Sequence, residues 1–325
     1  MRSAIVGCGN VAQVHAKSVA GMENARLVAV ADICPEKAEA MGDTYGAKAY
    51  YDLEEMLAKE EIDVLHICTP HYLHVPMAIR ALNAGINVFM EKPPVINSAQ
   101  WEELKQTVEQ CKGKPRLGLC FQNRFNDSVQ YVKAKLSEGV YGKVLGVRGM
   151  VTWNRGMDYY RSNDWRGKLA TEGGGALINQ SIHTLDLMQY LVDEKPSSVK
   201  AGVAKLHLPE EIEVEDMVAA HIVYPQARGS FYVTTGYVKD LPPIIELECE
   251  KVRVRIEEDV VTEFGEEALV QGFHNQKRLG KSHWGMGHQT AIRSFYESLE
   301  SGQKYAIELE DIEETIWLML QIYGR

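Results

Sequence analysis

Along the first part of the chain, short apolar runs alternate with stretches whose apolar residues recur every three or four positions. Residues 3–6, 27–31, 64–68, 87–90 and 116–121 read as strands. Residues 11–20, 35–45, 53–59, 75–84 and 98–111 read as helices. Gly85 stops the fourth helix, and Asn97 with Gln100 three residues on fits a capping box at the start of the fifth. Strands that alternate with helices through short connections predict right-handed βαβ units, a parallel sheet, and every strand C-terminus on one edge.

After residue 121 the texture changes. A helix over 127–136 leads to a strand over 144–152 and then to a long loop, 153–171, rich in aromatic and charged residues. Gly173, Gly174 and Gly175 open a helix that runs to 191. Strand-like runs at 199–206, 217–224, 229–235, 244–248 and 252–256 follow without helices between them, the pattern of an antiparallel or mixed sheet. Helices over 288–299 and 311–323 close the chain. The expected division is an α/β domain over 1–120 and an α+β domain over 121–325. A chain of 325 residues exceeds the roughly 250–300 at which one core stops growing.

Composition narrows the classes. Net charge is −10, which disfavours the clustered cations that nucleic-acid binding needs. No apolar run approaches the ~18 residues of a membrane span. The first strand begins by residue 3, which leaves no room for a targeting segment and predicts a cytoplasmic protein. None of the six cysteines forms a C-x-x-C pair, so they are expected as reduced thiols. The acid-rich stretch 210–216 is expected to be solvated.

The candidate chemistry starts at Gly7-Cys8-Gly9-Asn10-Val11-Ala12, a G-x-G-x-x-A fingerprint between the first strand and first helix. Gly7 permits the tight turn, Gly9 the approach of a pyrophosphate, and Ala12 close helix–strand packing. Asp32 ends the next strand, where a carboxylate accepts hydrogen bonds from ribose hydroxyls and repels a 2′-phosphate. No Arg follows at 33 or 34, so NAD is expected over NADP. Glu91-Lys92-Pro93-Pro94 follows a later strand, on the same ligand-binding edge. Its proline-fixed backbone holds Lys92, and partial burial would bring the amine toward a useful range for proton transfer. Asn179 and His183, four apart in the expected helix, share one face. His71 and His74, with His66 nearby, have no matching third ligand at a recognised spacing, so no metal is expected.

The fingerprint, the Glu91-Lys92-Pro93 motif and the segment Gly173 to Asp186 occur in one order that resembles the glucose–fructose oxidoreductase / inositol dehydrogenase / rhizopine-catabolism family (Gfo/Idh/MocA). The resemblance spans almost the whole chain. It implies a Rossmann domain before a domain built on a large, mostly antiparallel sheet. It also implies exchange of hydride between NAD and a secondary alcohol or ketone of a sugar, cyclitol or nucleotide sugar, in a homo-oligomer (dimer or tetramer). Lys92 matches the proton-transfer lysine, His183 the histidine that binds substrate and assists it, and Thr69, Pro70 and His74 a segment lining the cofactor. Many members carry Asp where this chain has Asn179; an amide orients the ring without supplying a counter-charge. Arg124, Tyr160, Trp165, Arg166 and His288, with Tyr159, are weaker candidates for the substrate pocket. The competing readings are a non-catalytic NAD-sensing protein on the same fold and a reductase of an imine or linear ketone.

Overall fold

The structure is a computed structural model that describes residues 1–273 and 287–325. It divides into two units. Met1–Phe121 and His288–Asp311 form the first, Gln122–Gly287 and Ile312–Arg325 the second.

The first unit carries β1 (Arg2–Val6), α1 (Asn10–Ala20), β2 (Arg26–Ala31), α2 (Pro35–Tyr45), β3 (Lys48–Tyr50), α3 (Leu53–Lys59), β4 (Val64–Ile67), α4 (His74–Asn83), β5 (Asn87–Glu91), α5 (Ser98–Gln110) and β6 (Leu117–Cys120). All six strands are parallel, in the order β3-β2-β1-β4-β5-β6. Strand order reverses at β1, which makes the C-terminal ends of β1 and β4 the crevice where such sheets bind ligands. The Asn97 side chain accepts the Gln100 N–H, so the expected helix cap is present. The three-residue β3 is too short to register as a pattern in the sequence.

In the second unit, α6 (Asp127–Ser137) precedes β7 (Val144–Thr152), and two short helices, α7 (Met157–Arg161) and α8 (Leu169–Glu172), lie where a loop is expected. A π-helical turn, Ala176–Ser181, runs into α9 (Ile182–Val192). β8 (Ser198–Ala204), β9 (Met217–Val223), β10 (Arg228–Thr234), β11 (Ile244–Cys249), β12 (Arg253–Glu257), β13 (Val260–Phe264) and β14 (Ala268–Gly272) follow. The eight strands form one sheet in the order β14-β13-β12-β11-β7-β10-β9-β8. Only β7 and β10 pair in parallel. The sheet is therefore mostly antiparallel, as the resemblance implies. Residues alternate along β7: Val147, Gly149 and Val151 are buried, whereas Arg148 and Met150 are exposed. α9 covers the buried face, and a side chain at Gly149 would strike Thr184 and Met188. β13 and β14 lie at one end of the sheet, and β14 is mostly exposed, so it lacks the apolar alternation that betrays a strand.

Placing every residue after 120 in the second domain does not match the chain's path. α10 (Gly287–Ser301) and the strap that follows pack on β6. Ile307 accepts the Leu119 N–H at 3.0 Å, which covers that edge of the sheet. Arg116 donates to the carbonyls of Ser298 (3.0 Å) and Gln303 (2.6 Å). The remaining helix, α11 (Glu313–Tyr323), belongs to the second unit.

The Phe295 ring lies where a Cβ at Gly118 would stand, 2.5 Å from its Cδ2. Gly118→Ala must displace α10 from the sheet, at a cost of about 1–3 kcal/mol. The expected outcome is a lowered melting temperature; unchanged melting would count against close docking of this helix.

Candidate functional site

In the first unit the fingerprint has the geometry a dinucleotide needs. Gly7 has φ +85°, and a Cβ there would sit 2.7 Å from the Cys68 carbonyl oxygen, so only glycine fits the turn. A Cβ at Gly9 meets nothing within 4 Å, so this position has open space for a phosphate. Asn10 and Val11 begin α1, and Ala12 is fully buried against the sheet. The Asp32 carboxylate is held by two backbone N–H groups, Cys8 (2.7 Å) and Cys34 (2.8 Å). Ile33 beside it is almost wholly exposed.

Thr69 and Pro70 follow β4, and Lys92 follows β5. His74 ties these two segments together. Its Nε2 lies 2.9 Å from the Thr69 carbonyl and its Nδ1 2.7 Å from the Pro93 carbonyl. Burial holds the His74 pKa below the ordinary histidine value, against the pull of both carbonyls.

Glu91 is the buried anchor of the Lys92 motif. Its Oε1 stands 2.9 Å from His15 Nε2 on α1 and 3.6 Å from His288 Nε2 on α10. Burial alone would raise the carboxyl; the two imidazoles outweigh it and hold Glu91 well below its usual range. The network continues from His15 Nδ1 to His66 Nδ1 (2.9 Å), from His66 Nε2 to the Tyr296 hydroxyl (2.8 Å), and on to Ser3 Oγ (2.6 Å). His288 thus stands in the first unit beside Glu91. His66 lies on β4, within the strand expected over 64–68, and burial drives its pKa far down. Among the described residues, His15, Glu91 and Cys120 also bring metal-type donor atoms within 4.8 Å of one another, although the His15 nitrogen facing Glu91 already has a partner.

In the second unit, the expected single helix from 173 to 191 is two pieces, a π-helical turn and then α9. Two features widen the turn. Gly174 and Gly175 admit the Tyr323 hydroxyl and the Glu215 backbone, which any side chain would displace. Glu215, buried, accepts the N–H groups of Gly175 (2.9 Å) and Leu177 (2.8 Å) and the Tyr323 hydroxyl (2.8 Å). Asn179 therefore sits on the π-helical turn and His183 on α9, not on one continuous α-helix. The Gln122 amide nitrogen lies 3.3 Å from His183 Nε2. Asn179 donates from Nδ2 to Glu172 Oε1 (2.5 Å) and to the Tyr159 hydroxyl (3.0 Å).

The weaker candidates separate. Arg124 forms a buried bidentate pair with Asp186, Nε–Oδ2 2.8 Å and Nη2–Oδ1 2.6 Å, an arrangement that braces α9. Tyr160 packs into an apolar cluster with Leu208, Ile212 and Val214. Its neighbour Tyr159 is the tyrosine that reaches Asn179 and, at 2.7 Å, Gln180 Nε2. Arg166 stacks 4.1 Å over the Tyr159 ring and 5.3 Å from that of Trp165. Within the stretch expected to be solvated, Glu215 and Asp216 are buried. Asp216 accepts the N–H groups of Leu206, His207 and Leu208.

Two models of one family match the chain: the oxidoreductase family with an NAD-binding Rossmann fold over residues 1–117, and the Gfo/Idh/MocA C-terminal domain over 129–255. The chain belongs to the Gfo/Idh/MocA oxidoreductase family. It is 32% identical over 208 residues to an inositol 2-dehydrogenase of Rhizobium meliloti (63% of this chain, 59% of that protein). It is 30% identical over 196 residues to a 2,7-anhydro-N-acetylneuraminate hydratase of Mediterraneibacter gnavus (60% and 50%). These matches span only half to three fifths of the relatives' own lengths. Among solved structures, the WlbA dehydrogenase of Bordetella pertussis, in complex with NADH and UDP-GlcNAcA, superposes with a TM-score of 0.87 at 27% identity (100% of this chain, 94% of that one). No helix among the described residues is long and apolar enough to cross a membrane.

Glu172, next to the glycines, has no exposed surface. Burial pushes its carboxyl up to about 7, against the Asn179 amide, the Gly167 N–H and Arg166. The folded value lies above the unfolded one, so the folded chain holds the extra proton between about 4.5 and 7. The stability this proton confers is full below that window and is lost as pH rises through it, by about 3 kcal/mol. Melting of the wild type should therefore fall relative to Glu172→Gln across that window; a gap between them that does not change with pH would contradict the shift.

Proposed function

We propose that the protein is an NAD-dependent oxidoreductase that exchanges hydride with a secondary alcohol or ketone of a sugar, cyclitol or nucleotide sugar. The observation that carries this reading is the shared edge of the first unit. There a glycine turn with room for a phosphate and the Asp32 carboxylate, held by the Cys8 and Cys34 N–H groups, stand at strand ends of the same sheet as the Glu91-anchored Lys92.

Gly7, Gly9, Asn10, Val11 and Ala12 would hold the pyrophosphate at the N-terminus of α1, where unpaired N–H groups face an anion. Asp32 would take the ribose hydroxyls and disfavour a 2′-phosphate, so NAD is preferred over NADP. Thr69, Pro70 and His74 line the cofactor, and Glu91 fixes the backbone from which Lys92 extends. When bound, NAD supplies the hydride acceptor. Lys92 accepts the hydroxyl proton during oxidation and returns it during reduction. His183 orients the alcohol, with Asn179 as a further substrate contact. Tyr159, which reaches Asn179 and carries Arg166 stacked on its ring, is a stronger substrate candidate than the core residue Tyr160, with Trp165 next to Arg166. The hydratase relative favours a second reading, in which the same residues serve a reaction with no net redox change.

The first test is NAD(H) absorbance with a panel of sugars, inositols and nucleotide sugars. Lys92→Ala should lose about 10²–10⁴-fold in turnover while still binding NADH more tightly than NADPH. Full turnover by this variant would refute the assignment, preference for NADPH would refute the role of Asp32, and product without change in NADH would select the second reading.

We also infer that the open face of the large sheet joins copies of the chain. Met150 pairs with Tyr232 across β7 and β10, and both are exposed. Tyr232→Glu should shift the species seen by analytical ultracentrifugation toward monomer; a wild type that sediments as a monomer would overturn this.

A further inference from the structure

Each hydrogen bond holds one proton, so in a chain of buried polar groups the proton at one end dictates the next. Such a chain crosses the first unit. It runs from Ser3 on β1 to Tyr296 on α10 (2.6 Å), His66 on β4 (2.8 Å), His15 on α1 (2.9 Å) and Glu91 at the end of β5 (2.9 Å). Its members have almost no exposed surface. The two ends settle the protons between them. Among the described residues the Ser3 hydroxyl meets one partner, the Tyr296 oxygen, so Ser3 donates. Burial pushes the Tyr296 hydroxyl up, so it keeps its proton and gives it to His66 Nε2. Burial drives His66 far down, so this ring has a single proton, and with Nε2 accepting, that proton sits on Nδ1. It points at His15 Nδ1, which is therefore bare. At the other end Glu91, held ionised, only accepts, so His15 carries its one proton on Nε2. The opposite direction would bury the Ser3 O–H without an acceptor and put a second proton on His15.

We propose that Tyr296 is a positioning residue for Lys92: by donating to His66 it fixes the direction of the whole chain, which keeps His15 uncharged and leaves the Glu91 carboxylate its negative charge at the foot of the lysine turn. The inference rests on the role of Lys92 proposed above. The groups that face His15 are Glu91, His66, the His288 ring at 6.2 Å, the Phe89 ring at 5.7 Å and the Cys120 thiol. The charge of Lys92 is felt at His74 and at His288, and His288 Nε2 lies 3.6 Å from Glu91. The lysine and the carboxylate thus share one electrostatic neighbourhood. A negative charge retained there favours the ammonium form of Lys92, and a doubly protonated His15 would cancel it. Tyr296 acts through two rings and a carboxylate, so it sets the basicity of the amine from the far side of the sheet.

The test has two arms. The first is neutron diffraction from crystals of the deuterated full chain at about pH 8, above the ordinary histidine range. Deuterium should stand on His66 Nδ1 and His15 Nε2, and on neither His66 Nε2 nor His15 Nδ1. A deuteron on His66 Nε2, or two on His15, overturns the inference. The second arm follows kcat against pH with NAD and whichever alcohol of the panel is turned over. Oxidation needs the free amine of Lys92, so kcat rises with pH through its titration. Tyr296→Phe removes the donor that ties His66 to one tautomer and opens His15 to a second proton. The acid limb should then move to lower pH by about one unit, a tenfold change in the proton equilibrium, with KM changing less. Ser3→Ala leaves the Tyr296 O–H with His66 as its acceptor, so its limb should stay with that of the wild type. A limb unmoved in folded Tyr296→Phe, or moved equally in Ser3→Ala, overturns the inference. If Tyr296→Phe does not fold, the neutron arm decides. Failure of the dehydrogenase reading is a separate result, seen as full turnover by Lys92→Ala, and leaves the neutron arm to decide the order of the protons.

Discussion

A carboxylate removed from water costs several kcal/mol unless hydrogen-bond donors replace the lost hydration. Glu91 meets this demand with two imidazoles, and each comes from a different part of the first unit. His15 rides on the fingerprint helix, His288 on the returning helix, and Glu91 itself ends the strand that leads to Lys92. One buried acid therefore ties the fingerprint helix, the lysine-bearing turn and the returning helix to one another. His74 adds a second tie, between the carbonyls of Thr69 and Pro93. The ligand edge of this sheet is held by polar groups that would be costly if any one of them were left alone.

The second unit applies the same rule with backbone donors. Glu215 gathers the N–H groups at the start of the π-helical turn, and Asp216 gathers those of Leu206, His207 and Leu208. Two adjacent acids thus shape two separate loops. Burial raises the carboxyls of both Glu172 and Glu215, and pushes that of Glu172 up to about 7.

The first unit was largely legible in the sequence because strand and helix periodicities differ and its turns carry glycine, proline and capping residues. Gly7, Asp32 and Lys92 were recognisable from their places at strand ends. His288 was not, because nothing in a linear reading shows α10 returning to the first sheet. The choice between Tyr159 and Tyr160 was hidden for a different reason: adjacent helical residues point about 100° apart, and α7 has too few residues to display a period. Glu172, Glu215 and Asp216 resemble any solvated acids in composition. Their burial depends on backbone donors at Gly167, Gly175, Leu177 and Leu206, which only the folded chain brings to them.

The return of His288–Asp311 also bears on the order in which the chain matures on the ribosome. Synthesis runs from the N-terminus, and domains ordinarily fold as they emerge. Here the nucleotide-binding sheet emerges first, yet β6 keeps a bare edge and Glu91 lacks its second imidazole until α10 and its strap have been made. The unit translated earliest is thus completed among the last, and a nascent chain halted before residue 288 would expose both an unpaired strand and a half-solvated acid to the quality-control machinery.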